Sequence, residues 1–256
     1  PEIAIKYPSP GIPYFVFLKD GQKVSDLTGA NEFDRWNIIA SGQGEQSIIR
    51  LQGDNHYSGN TYVQNSTLKV NDDKNLGSTQ SILFLDEGVL AFTPQKFELS
   101  HNVEIGVNGG GIYSHEIATQ PDQKIKQLAI ISGDITGSGV FSKVGLGDLV
   151  LNRDTSFTGD WSLREGGLLL DQDSRLGNGK LTLKGGKIVF TKAFNDLRGI
   201  NVGSLGGTID NNSLNVNVKI DKWEKTEQTL TFSGTGETTI TQNIQTEGYN
   251  NHTLIA

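Results

Sequence analysis

The chain has 256 residues, 22 Lys and Arg against 29 Asp and Glu, a formal charge of −7, and no Cys or Met. Without Cys there are no disulfides, Cys-based metal sites or Cys nucleophiles. The acidic balance, with no basic run longer than two residues, leaves no electrostatic footprint for nucleic acid or an anionic lipid surface. No apolar stretch approaches the ~20 residues that span a bilayer, so no membrane insertion by this segment is expected.

Residues 1–30 hold four of the six prolines, Pro1, Pro8, Pro10 and Pro13, around the apolar run Tyr14–Leu18. Pro is excluded from central ladder positions. The segment reads as an N-terminal cap or as a junction to an upstream domain, and the start at Pro1 without any Met points to an excised piece of a longer precursor. Residues 31–256 read as one repetitive unit. Alternating apolar residues lead into a G-x-G element at Gly42–Gly44, again at Gly137–Gly139 and at Gly234–Gly236. More strand-like sequence follows each of them, which makes them turns rather than nucleotide loops.

Two stretches, near 41–93 and 137–191, repeat each other at an offset of one hundred. Leu51 matches Leu151, Tyr57 matches Phe157, and Gly59 matches Gly159. Leu68 matches Leu168, Val70 matches Leu170, and Leu76-Gly77 matches Leu176-Gly177. After a two-residue difference in length, Leu83, Leu85, Leu90 and Phe92 match Leu181, Leu183, Ile188 and Phe190. Each apolar run is short and alternates at period 2, with Gly, Asn and Asp between runs. Helix signals are nearly absent, and only Asn31–Trp36 and Phe194–Gly199 have room for a turn or so. Irregular strand spacing and sharp Gly-Asn or Gly-Asp corners point away from a propeller or sandwich. The fold class is all-β, a parallel β-helix (β-solenoid) of ~20–25 residues per rung, making a rod of roughly 50 Å.

Between the copies, residues 93–127 are less regular. Val103–Val107 alternates, Asn108–Gly111 breaks the pattern, and Pro121-Asp122 sits among Gln, Lys and Glu as an exposed excursion. Loops projecting from a solenoid are where binding determinants concentrate. The candidate partner-binding residues are therefore Asn108, Tyr113, His115, Glu116, Asp122 and Lys124.

Catalytic and metal signatures are missing. His56, His101, His115 and His252 show no metal-ligand spacing, and no G-x-S-x-G elbow occurs. The carboxylates Asp154, Asp171 and Asp173 read as solvated corner residues. No cofactor is expected, and the segment reads as non-enzymatic.

Phe141–Leu151, Phe157-Thr-Gly159, Gly166–Leu170, Leu176-Gly177 and Leu181–Gly186 together resemble the passenger-associated repeat of bacterial autotransporters. The copy from Asn55 to Gly77 is similar. It departs at Asn65-Ser66, where the family usually has Gly, and the second copy departs at Asp160-Trp161, where Thr is more usual. The resemblance implies a right-handed parallel β-helix exported across the outer membrane of a Gram-negative bacterium. The passenger would be displayed at the cell surface or secreted, with a C-terminal β-barrel translocator in the precursor. The partner it implies is a host cell-surface protein or receptor, a growth-factor receptor among the options, bound by a non-catalytic adhesin. Two alternatives stand beside it: a β-helical stalk carrying a protease or lipase outside this segment, and a polysaccharide-cleaving β-helix enzyme.

Overall fold

A computed structural model describes residues 15–17, 37–42, 47–120, 123–195, 197–223, 228–241 and 253–255. Apart from Phe15–Phe17, the N-terminal cap or junction lies outside the described residues. The chain winds into a parallel β-solenoid of about nine turns. At ~4.8 Å per rung, that is a rod of ~43 Å, close to the length expected from the sequence.

Each turn presents three faces. The first holds Asn37–Ser41, the leading halves of the long strands Thr61–Val70 and Ile82–Phe92, then Asn102–Ile105 and Ile135–Gly137. The second holds Ile48–Arg50, the trailing halves of the same long strands, Gly110–Tyr113, Phe141–Val144, Trp161–Leu163, Leu181–Leu183, Ile200–Val202 and Ile220–Trp223. The third runs from Lys96–Leu99 through Leu128–Ile131, Asp148–Leu151, Gly167–Leu170, Lys187–Phe190 and Gly207–Asp210 to Thr229–Ser233. Val216–Val218 pairs with Thr238–Ile240 and takes the first face's place in the later turns. All of these pairings are parallel.

The rungs are regular because the sequence alternates. Inward positions stack in columns: Leu68, Leu90, Ile112, Lys143, Leu163, Leu183, Val202 and Trp223 succeed one another on the second face. None of these is more than 3% exposed. Each fully buried Leu, Val, Ile or Phe contributes ~1.5–3 kcal/mol of transfer free energy, so such columns hold successive turns together.

Corners explain the Asn, Asp and Gly content. At several corners a side-chain oxygen accepts the backbone N–H of the next turn. Asn37 Oδ1 accepts from Asn60 N at 2.7 Å, and Asn60 Oδ1 accepts from Ile82 N at 2.9 Å. Further along, Asn102 Oδ1 accepts from Asp134 N at 2.9 Å, Asp134 Oδ1 from Ser156 N at 3.0 Å, and Asp160 Oδ1 from Lys180 N at 2.8 Å. Corner amides that no ladder satisfies are thereby paired. Gly77 and Gly177 both have positive φ, +79° and +65°, each closing a 3-10 turn, Asp73–Leu76 and Asp173–Leu176. These turns, rather than Phe194–Gly199, are the helical turns of the described chain; Asn31–Trp36 lies outside the described residues. The elements Gly137–Gly139 and Gly234–Gly236 lie at corners with no helix after them, and Gly137 and Gly234 have φ of +102° and +101°. Gly44, which completes the earliest such element, lies outside the described residues.

Trp161, at the departure from the family pattern, is core. Its ring packs 4.8 Å from Phe141 and 5.4 Å from Phe157, and its Nε1 donates to Leu176 O at 2.9 Å. The acids at Asp154, Asp171 and Asp173 do lie at corners, yet they are held in ion pairs rather than simply solvated. Arg175 binds Asp171 and Asp154, and Arg198 binds Asp173.

Candidate binding groove on the second face

One interruption breaks the rung period. Successive partners on the third face, Leu128, Asp148, Gly167 and Lys187, are 19 or 20 residues apart, whereas Lys96 pairs with Leu128, 32 positions on. The added residues form an antiparallel hairpin, Glu116–Gln120 with Gln123–Lys126. It is the antiparallel pair among the described strands, and it falls within the irregular block 93–127.

Gln127 anchors the hairpin. It is buried, and its Nε2 donates to the carbonyls of Phe92, Thr93 and Pro94 at 3.1, 3.2 and 3.0 Å. Its Oε1 accepts from His115 N at 2.8 Å, and its own N–H donates to His115 O. Both ends of the insertion are thus tied to the preceding turn. The ring of His115 stacks on Tyr113, with centroids 5.6 Å apart and planes at 21°, and Tyr113 Oη lies 3.1 Å from His115 Nδ1. Lys124 reaches Glu116 diagonally across the hairpin at 3.7 Å, and Lys126, opposite Glu116, reaches Asp148 at 3.6 Å.

Beside the hairpin the outer side of the second face is hollow. Its outward positions form two columns. One runs Ile48, Thr67, Val89, Gly111, Ser142, Ser162, Thr182. The other runs Arg50, Lys69, Ala91, Tyr113, Val144, and continues through Arg164 and Lys184 by their bonds to Lys143 O and Leu163 O. A hollow of about 710 Å³ lies under the hairpin, lined by Lys69, Ala91, Tyr113, His115, Glu116 and Arg164 among others. A second, of about 460 Å³, adjoins it through Val89, Val144 and Arg164, and has Gly88, Gly110, Gly111, Ser142 and Ser162 on its lining.

The structure therefore gathers Tyr113, His115 and Glu116 on the first hollow and puts Asn108 on the rim of the second. Asn108 also has a structural role, because its N and Nδ2 donate to Asp86 Oδ1 and Oδ2 at 3.0 and 3.1 Å and fix the corner. Lys124 lies on the exposed hairpin strand, apart from the hollows. Asp122 lies outside the described residues.

Sequence reasoning did not single out Gln127, Lys69, Arg164, Lys184 or Ser162. Lys69, Arg164 and Lys184 make no ion pair with a described carboxylate. Ser162 Oγ is buried without a hydrogen-bond partner and borders the second hollow. The signal available was period 2, which makes Lys69 and Arg164 outward next to inward Leu68 and Leu163. Their alignment on one column emerges only from the register.

The same alternation puts Lys143 inside. It is fully buried, and its Nζ donates to the carbonyls of Val144, Gly145 and Glu165 at 3.0, 2.6 and 3.2 Å. Burial lowers its pKa to about 8, against the opposing pull of Asp148 and Glu165. It lies beneath the groove floor as a brace of the corner. Among the described residues no group of three His, Asp or Glu side chains has a metal-binding arrangement. Asp154 and Asp171 share Arg175, whose hydrogen bond holds the Asp171 carboxyl below the usual range.

No family model and no solved structure matches the chain. Over 147 residues, 57% of its length, it is 30% identical to the Adhesin BmaC autotransporter of Brucella suis biovar 1 (strain 1330). The chain spans about 4% of that relative's length. This similarity and the β-solenoid together bear out the resemblance to autotransporter passenger domains.

Proposed function

We propose that this solenoid is a surface-exposed segment of an autotransporter adhesin's passenger and that it binds a host cell-surface receptor without catalysing a reaction on it. The reading has the passenger displayed on the bacterium or released, with a β-barrel translocator elsewhere in the precursor. One observation carries the placement of the contact: the hairpin 116–126 is inserted into an otherwise periodic stack and overhangs a groove. Rungs need no such insertion for stability, since neighbouring turns already satisfy their ladders. Similarity to a protein named an adhesin supports the class. The regular turns from Phe141 to Trp223 favour a second, compatible role as a stalk that holds the hairpin away from the bacterium.

The test is adherence. Beads coated with the chain are counted on host cells, alongside beads coated with a variant in which a two-residue Asn-Gly turn replaces residues 117–125. The reading expects the variant to lose most bound beads while keeping its β-sheet circular dichroism. Undiminished adherence by a folded variant would remove the hairpin from the function.

A further inference from the structure

We infer that the groove on the second face is a binding site for an acidic glycan, a chain of sugars bearing carboxylate or sulfate groups. The inference rests on the adhesin reading and gives the ligand its chemistry.

Charge placement comes first. In a chain of net charge −7, one outward column puts Arg50 and Lys69 on one side of Tyr113 and Arg164 and Lys184 on the other. Only Ala91 and Val144 intervene. From Lys69 to Arg164 there are four rungs, ~19 Å at ~4.8 Å each. None of the four is paired with a described carboxylate, and their alignment on one column makes them available together to an external anion. Among the other basic side chains, Arg175, Lys187, Lys192 and Arg198 bind acids of the rod. The groove's own acids are Glu116, engaged with Lys124, and Glu87 on the far rim.

The floor favours a sugar. Between the cations it includes the small residues Ala91, Gly111, Ser142 and Ser162 beside Val89 and Val144, so a broad ligand can lie close to the sheet. Tyr113 with His115 stacked on it offers an aromatic surface in the middle for the C–H face of a pyranose. Ser162 Oγ, 3% exposed by residue and with no partner, borders the adjoining hollow. A buried hydroxyl without a partner is uncommon and is satisfied by a ligand hydroxyl or a bridging water. An extended peptide is the poorer occupant. The floor strands are hydrogen-bonded on both edges, 88–91 to 66–69 and 110–113, and 141–143 to 110–112 and 161–163. No free edge is left for strand addition.

The experiment uses the 256-residue chain immobilised on a biosensor, with heparin fragments, hyaluronan fragments and neutral dextran of matched length as probes. Heparin tests sulfate and hyaluronan tests carboxylate recognition. At least one acidic glycan is expected to bind, dextran is not, and affinity is expected to fall as salt is raised from 50 to 200 mM. The double variant Lys69→Gln/Arg164→Gln and the single variant Tyr113→Ala are each expected to weaken binding at least tenfold. Lys219→Gln, an exposed change away from the groove, is expected to bind as the parent does. Equal binding of dextran, no binding of either acidic glycan, or full affinity in the double variant would overturn the inference. Cells treated with heparinase and hyaluronidase separate the two readings. Adherence that survives both enzymes contradicts the glycan inference and leaves the adhesin reading standing. Absence of adherence to untreated cells contradicts the adhesin reading itself.

Discussion

Leu68 and Leu163 face the core in one column of the second face, although Leu168, not Leu163, stands one hundred positions after Leu68. Leu168 lies on the third face, stacked between Leu149 and Ile188. The repeated unit therefore advances by four turns and one face. All three faces ask the same of a strand, an apolar residue inward at every second position, so a repeat can slide by one face and remain buried. Leu68 and Leu168 are both fully buried despite the shift.

Corner glycines are where the repeat is least tolerant. Gly177 has φ +65°, and a Cβ there would lie 2.2 Å from Phe157 O, a backbone atom that cannot turn away. Gly177→Ala combines left-handed strain with that collision. It is expected to destabilise the chain by at least ~1–3 kcal/mol, read as a lower denaturant midpoint. Gly77→Ala, with φ +79° and Tyr57 O at 2.5 Å, should behave alike. An unchanged midpoint in both would contradict the corner geometry.

Arg198 ties two turns together. Its Nε and one Nη donate to the two oxygens of Asp173, and its guanidinium also reaches the carbonyls of Asp173, Gly177 and Gly179. Asp73, in the equivalent turn, is bound by His101 Nδ1 at 2.8 Å and by Ser100 N. Arg198→Ala removes the side-chain donors from several corner carbonyls and leaves the part-buried Asp173 carboxylate without its cation, held only by the residue-198 N–H, and a loss of ~2–4 kcal/mol is expected. Arg198→Lys should recover little of it, since an ammonium cannot reproduce the planar fork. Full recovery by Lys in thermal or urea melts would show that charge alone matters.

Lys143 gives a pH signature. Its pKa falls from 10.5 in the open chain to about 8 in the fold because burial disfavours the ammonium. Between pH 8 and 10.5 the unfolded chain binds more protons than the folded one, so stability contributed through this group rises with pH across that window. Below pH 8 its burial penalty is fully present. Measured against Lys143→Met, which removes the titration and cancels background ionisations, the parent should gain up to about 3 kcal/mol from pH 7 to 10.5. Parallel stability curves for the two proteins would contradict the burial of the ammonium.

Much of the fold was legible because it depends on local rules. Alternation marked the strands, Gly77 and Gly177 marked corners, and Pro121-Asp122 among polar residues marked the insertion, whereas the break after Val107 is an ordinary corner leading into Gly110–Tyr113. The phase between repeats was not, since Leu68 and Leu168 look alike in any face. The groove was legible only in part. Tyr113, His115 and Glu116, singled out because they adjoin an irregular segment, line the first hollow. Lys69 and Arg164 were missed because each sits in a regular strand, 95 positions apart, and only the register of the intervening rungs brings them into line. Asn108 was found for its irregular surroundings, and part of its role turns out to be holding Asp86.

We propose that the second face and its hairpin make the contact with the host surface. Adherence of beads coated with the folded hairpin-replacement variant, compared with beads coated with the parent chain, tests it most directly. The variant is expected to lose most adherent beads and to retain the parent's circular dichroism. Equal adherence by a folded variant would contradict it.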